Sequence, residues 1–243
     1  MISAPAQKGG LTMRAQVAGT ARLVLFAGEL ALRRAITALE RGPFSRWRWP
    51  GSTPERLVIA PQDIRTTDPT IAADIYAGLY AFAGKMVETG GRSPFDMPSP
   101  SAEWTRALHG FSWLRHLRAA ENALARQNAR ALVADWIAQE AHAPSEAYET
   151  ENMARRVIAW ITQSPLILRD ADRAFYRRFL RSLVRQVRRL RGRQSDAVDG
   201  YPRLLAAVAV GVFALSADNQ GRLARQAGLW LEQELRRQIL PDG

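Results

Sequence analysis

The chain has 243 residues, 47% hydrophobic and 23% charged, with a formal net charge of +11. That apolar share supports a sizeable core in one large domain or two small ones and excludes disorder throughout. It contains no cysteine and three histidines, His109, His116 and His142, which excludes disulfides and thiolate chemistry and leaves little for a histidine-built zinc centre.

In chain order, the first twelve residues are small and polar, and residues 17–32 are interrupted by Arg22 and Glu29. A secretory core would run unbroken, so the default compartment is the cytoplasm. The spacing predicts an amphipathic helix over about 13–40, and residues 1–41 read as an N-terminal helical segment. Residues 42–54 hold three prolines and two glycines and read as a linker. Residues 57–59 (Leu-Val-Ile) predict a short strand, and Asp68-Pro69 opens a short helix to about Gly78. Residues 79–89 read as extended, and residues 92–103, with three more prolines, as a loop. Residues 42–103 are thus an irregular layer with short strands.

From Trp104 the pattern turns helical. Leu114, Leu117, Leu124, Leu132 and Trp136 predict one helix over about 112–140, and residues 151–163 a second, stopped by Pro165. Asp170 and Asp172 cap a third, with Phe175, Phe179, Leu183, Val187 and Leu190 on one face and Arg177, Arg178, Arg181, Arg185 and Arg188 on the other. Residues 204–215 are apolar all round, which predicts the most buried helix, though they are too short to span a membrane. Ser216 and Asp218 cap a fifth helix, with Leu223, Trp230 and Leu235 inward. Short turns between helices imply antiparallel neighbours stacked in sequence. Pro241-Asp242-Gly243 is a turn signal with nothing after it, which reads as a truncation.

Charge is concentrated. Residues 155–193 contain twelve arginines against Asp170 and Asp172, close to the net charge of the whole chain. Such a field attracts polyanions, whereas its plain reading is a solvated helix face. No phosphate-loop, dinucleotide, zinc-protease, calcium-loop or nucleophile-elbow signature is present. His109 and His116, with no acidic partner nearby in sequence, read as structural histidines. Tryptophans 104, 113, 136, 160 and 230 read as core residues.

Three phrases resemble the heparinase II/III-like polysaccharide lyases. Residues 104–117 (WTRALHGFSWLRHL) resemble the tryptophan-then-LHYFDYL phrase of that family. Residues 148–160 (YETENMARRVIAW) resemble its helix of arginine, apolar pair and tryptophan. Residues 238–243 (QILPDG) resemble its QI-x-x-DG phrase. The resemblance spans roughly residues 57–243. It implies a mainly α chain with an incomplete (α/α) toroid of antiparallel helical hairpins over 104–243. The family's reaction is β-elimination on a uronic-acid polysaccharide, which places family members in the periplasm or cell envelope. An acidic polysaccharide is therefore the expected partner, and no cofactor or metal is expected. The residues expected to touch it are His109, Trp113, Arg155, Arg156, Trp160, Tyr201 and Arg203. Residues 199–203 read Asp-Gly-Tyr-Pro-Arg where the family carries a GNH-like phrase, and the family's catalytic tyrosine belongs beyond Gly243. The resemblance therefore implies no catalytic residue in this chain. A non-catalytic module binding acidic glycan through the arginine face is the alternative. A basic protein binding nucleic acid ranks last, for lack of any recognition motif.

Overall fold

A computed structural model of the chain describes residues 53–120, 122–193 and 200–239. The chain divides into two units, Met1–Trp49 and Pro50–Gly243, and every described residue lies in the second. The helix expected over 13–40, most of the expected linker and the closing turn lie outside the described residues.

Asp68 accepts a bond from the amide of Thr70 at 2.8 Å, and Pro69 opens α1 (Pro69–Tyr76). The extended segment is a two-stranded antiparallel hairpin, β1 (Leu79–Phe82) and β2 (Lys85–Glu88). Its two-residue turn, Ala83-Gly84, is left-handed at both positions (φ 50° and 72°), the twist that a tight hairpin requires. Residues 57–59 do not form a strand. They make a single bridge, Leu57 to Ala217, because the amides nearby are engaged by other groups. The Leu57 amide donates to Tyr176 Oη at 2.9 Å, and Asp218 Oδ1 accepts from the amides of Glu55 (2.9 Å) and Arg56 (3.3 Å).

Ser101 caps α2 (Ala102–Gly110). The helix expected over 112–140 is broken into α3 (Leu114–Leu117) and α4 (Ala123–Gln139). Asn122 explains the break: its backbone is extended and its side chain accepts the amide of Ala125 at 2.8 Å, so a new helix starts there. The re-phased helix buries Ala125, Ala129, Val133 and Trp136, leaving Leu124 exposed. Then follow α5 (Thr150–Thr162), the short α6 (Ser164–Leu168), α7 (Arg173–Gly192), α8 (Tyr201–Ser216) and α9 (Gly221–Gln238). Pro165 lies in the first turn of α6, so it opens a helix as well as ending one. In α7 the five expected apolar positions are all buried, and Asp172 caps it by accepting from Phe175 N at 2.7 Å.

The helices form two layers. Helices α2, α5 and α8 touch in succession as an inner layer, while α4 and α7 touch as an outer one. Long-range bonds give the directions. Arg126 near the start of α4 meets Asp170 just before α7 (3.7 Å), and Glu140 after α4 meets Arg185 and Arg189 late in α7, so the outer helices run parallel. The segment near Leu57 binds both Tyr176 at the start of α7 and Ser216 at the end of α8, making that pair antiparallel. Gln238 at the end of α9 donates to Gly200 O at the start of α8 (2.9 Å), a second antiparallel hairpin. Stacking therefore alternates between layers, with each inner helix also packed on the next inner one.

Burial peaks in α5, where Asn152, Met153, Ala154, Arg156, Val157 and Trp160 are all covered. Helix α8 is not the most buried. Ala206, Ala209, Val210 and Phe213 are inside, but Leu204, Leu205, Val208 and Val212 are half-buried and Leu215 is exposed, because α5, α7 and α9 cover only part of its circumference. In α9, Leu223 and Trp230 are buried while Leu235 faces outward. Neither Ser216 nor Asp218 caps α9. Gln220 holds that position without a side-chain bond, and Asp218 is engaged by residues 55 and 56. Among the described residues no helix is long and apolar enough to cross a membrane.

Candidate functional site

Where α2, α3, α5 and the hairpin meet, a cleft of about 460 Å³ opens. Its shape begins at Phe111, which ends α2 in a left-handed conformation (φ 57°). A non-glycine residue is strained there, and packing holds it: the ring stacks on Phe95 and Trp113, at centroid distances of 5.6 and 5.2 Å. The sharp exit turns Trp113 and α3 back across the end of α2. Gly110 lets α5 approach, since a Cβ there would lie 2.7 Å from Asn152 Oδ1.

Three arginines line this cleft, with Glu149 and Glu151. Arg106, from α2, makes a bidentate pair with Glu149 (2.8 and 2.9 Å). Arg155, one turn along α5, pairs with Glu151 at 2.7 Å and carries Tyr201 against its guanidinium, 5.6 Å from the ring centre. Arg115, from α3, donates to the carbonyls of Thr66 (3.2 Å) and Ser112 (2.5 Å). Burial pushes its pKa down, with the charge of Arg65 adding to the effect. His116 next to it accepts the Asp68 amide on Nδ1 at 2.9 Å, so the neutral ring carries its proton on Nε2. Burial and then Arg115 lower its pKa, favouring that neutral form.

Of the residues expected to touch a ligand, Trp113 and Arg155 line the cleft and Tyr201, half exposed, joins it through Arg155. Three others lie behind it in the core. Trp136 donates its indole N–H to His109 Nδ1 (3.0 Å), and burial, followed by the charge of Arg156, takes the His109 pKa down to about 3. Arg156 is fully buried, stacked on Trp136 at 4.1 Å, and donates to Gln186 Oε1 (2.7 Å), His109 O (2.7 Å) and Ala147 O (3.0 Å). Trp160 packs edge-on to Trp136 and has no access to solvent. Side chains so enclosed hold the cleft wall and do not reach a solute. Arg203 turns to the far side of α8 and pairs with the buried Glu234 at 3.2 Å. Sequence reasoning missed Arg106, Arg115 and Asn152 as cleft residues, although all three fall within the phrases quoted above. Among the described residues, no group of three or more His, Cys, Asp or Glu side chains is placed to hold a metal ion.

The arginine face of α7 belongs to the outer layer. Arg185 and Arg189 pair with Glu140, whose carboxylate also accepts from Ser182, while Arg177, Arg178 and Arg181 stay exposed.

No protein-family model matches the chain, and no curated protein matches it either. Among solved structures, a heparan sulfate lyase HepC mutant from Pedobacter heparinus shares its fold. The TM-score is 0.60 at 20% sequence identity, over 86% of this chain. The match covers 35% of that protein's chain, so this sequence spans about a third of its length.

Proposed function

We propose that the chain binds an acidic polysaccharide in this cleft, as part of a helical toroid of the polysaccharide-lyase type. The supporting observation is the convergence of Arg106, Arg115 and Arg155 with Trp113 at one opening, beside the half-exposed ring of Tyr201. Cations fix carboxylates, and an aromatic face packs on the apolar face of a sugar ring. The shared fold with a heparan sulfate lyase makes a uronate-bearing glycan the class to try first.

Binding, and not turnover, is assigned to this chain. A β-elimination needs a base, an acid and a group that neutralises the carboxylate, all in one groove. His109 is enclosed and neutral, and the Nδ1 of His116 is occupied by a backbone amide, which leaves no free imidazole lone pair in the neutral ring.

Calorimetry with alginate and heparan sulfate oligosaccharides at low salt tests the reading. Arg155→Gln should weaken binding, and the triple change of Arg177, Arg178 and Arg181 to serine should leave it as it was. Loss in the triple variant with retention in Arg155→Gln moves the site to the α7 face. Equal affinity for DNA removes the glycan assignment. Growth of the ultraviolet absorbance of an unsaturated uronate with purified chain overturns the assignment of binding alone.

A further inference from the structure

We propose that Arg115 is the residue that receives the carboxylate of the bound sugar, with His116 as a neutral neighbour, making this a site for one planar monoanion. The inference rests on the glycan reading above and adds to it the residue that selects for charge.

Charge pairing in the cleft carries the argument. Its lining has three arginines and two glutamates, and each glutamate is already taken: Glu149 by Arg106 and Glu151 by Arg155. The surplus charge belongs to Arg115. Asp63, the other acid near Arg115, is held by Arg65 at 2.9 and 2.7 Å. The partners that Arg115 does have, the carbonyls of Thr66 and Ser112, orient the guanidinium without cancelling its charge. They engage Nε and Nη1, while among the described residues Nη2 has no hydrogen-bond partner. A half-buried cation with a fixed plane and free donors is a receptor for a planar anion, and a carboxylate fits that geometry. His116 adds no second positive charge, because the Asp68 amide on Nδ1 opposes protonation there. With Nε2 as its donor, the ring offers a hydrogen bond in place of a charge.

The test uses the full chain, an alginate tetrasaccharide and the same tetrasaccharide with its carboxylates reduced to alcohols. Calorimetry at fixed salt should show the wild-type protein preferring the carboxylate form by about tenfold, the usual scale of a charged hydrogen bond. Arg115→Gln should bring the two affinities together, chiefly by weakening the carboxylate form. Arg115→Lys, which keeps the charge and loses the fork, should restore only part of the preference. Arg181→Gln on the outer layer should keep all of it. A folded Arg115→Gln protein with the wild-type preference overturns the assignment to Arg115 and leaves the glycan reading standing. A wild-type protein that binds neither sugar overturns both. Should the glutamine variant fail to fold, side-chain nitrogen NMR of the wild-type protein decides. The Arg115 Nε–H signal must shift when the uronate is added, and an unmoved signal overturns the proposal.

Discussion

His109 and Arg156 occupy one buried cluster and make opposite demands on it. The imidazole must stay neutral to accept the Trp136 indole, while the guanidinium stays charged among three neutral acceptors and an aromatic face. Burial lowers the His109 pKa from the ordinary 6.5 to about 3. Since the unfolded chain then takes up a proton that the folded chain refuses, stability is full above pH 6.5 and declines as pH falls toward 3. Between those limits the slope from this one group is about 1.4 kcal/mol per pH unit. Urea unfolding at several pH values from 4 to 7 should show this slope in the wild type and a flatter profile in His109→Gln, whose amide oxygen can still accept the indole proton. A profile as steep as the wild type would mean that the ring protonates in the fold. Arg156→Ala is expected to cost about 3–5 kcal/mol, because it leaves three buried acceptors unpaired and opens a void beside Trp136. A loss below about 1 kcal/mol by the same assay would show that water fills the site.

Helix boundaries follow the short polar side chains, but two aspartates with the same expected role act differently. Asp172 caps α7 through the Phe175 amide, so Asp172→Ala should lower stability by about 1 kcal/mol. Asp218 was equally placed by sequence to cap α9, yet it binds the amides of Glu55 and Arg56 across the fold. Asp218→Ala should therefore leave the helicity of α9 intact and speed hydrogen exchange at residues 55 and 56. Faster exchange in the first turn of α9, with none at 55 and 56, would restore the capping role. Asn122 gives the converse lesson. Its local bond to Ala125 was strong enough to divide an apolar pattern that otherwise continues from Leu114 to Trp136.

The whole chain carries +11, with most of the excess within residues 155–193, and the fold divides that segment's arginines between the cleft, the core and the outer face of α7. Arg155 lines the cleft on the inner layer, whereas Arg177, Arg178 and Arg181 lie on the outer face of α7. Salt dependence distinguishes them. A site with one unpaired cation should show a shallow slope of log affinity against log salt, on the order of one, whereas a ligand held by the exposed arginines of α7 should show a slope of roughly three. Measuring an oligosaccharide between low and moderate salt checks this, and a steep slope would place the ligand on α7. A shallow slope would leave to the exposed arginines only a weak, unselective attraction of polyanions, as the proposed cleft site requires.

By itself the sequence determined what repeats at short range. The 3.6-residue pattern of α7, the cap at Asp172 and the helical run after Trp104 all depend on residues within a few positions of each other. The Glu151–Arg155 pair, four residues apart on α5, is local in the same sense, although the structure supplied it. Tertiary structure alone decided how the other two cleft cations are engaged. Arg106 meets Glu149 from 43 residues away, and Arg115 meets a carbonyl of Thr66 from 49 residues away. No periodicity reports those distances, because each depends on how chain segments close upon one another. The partial exposure of α8 has the same origin. An apolar composition says that a helix prefers to be covered, and only the packing of α5, α7 and α9 decides how much of it is.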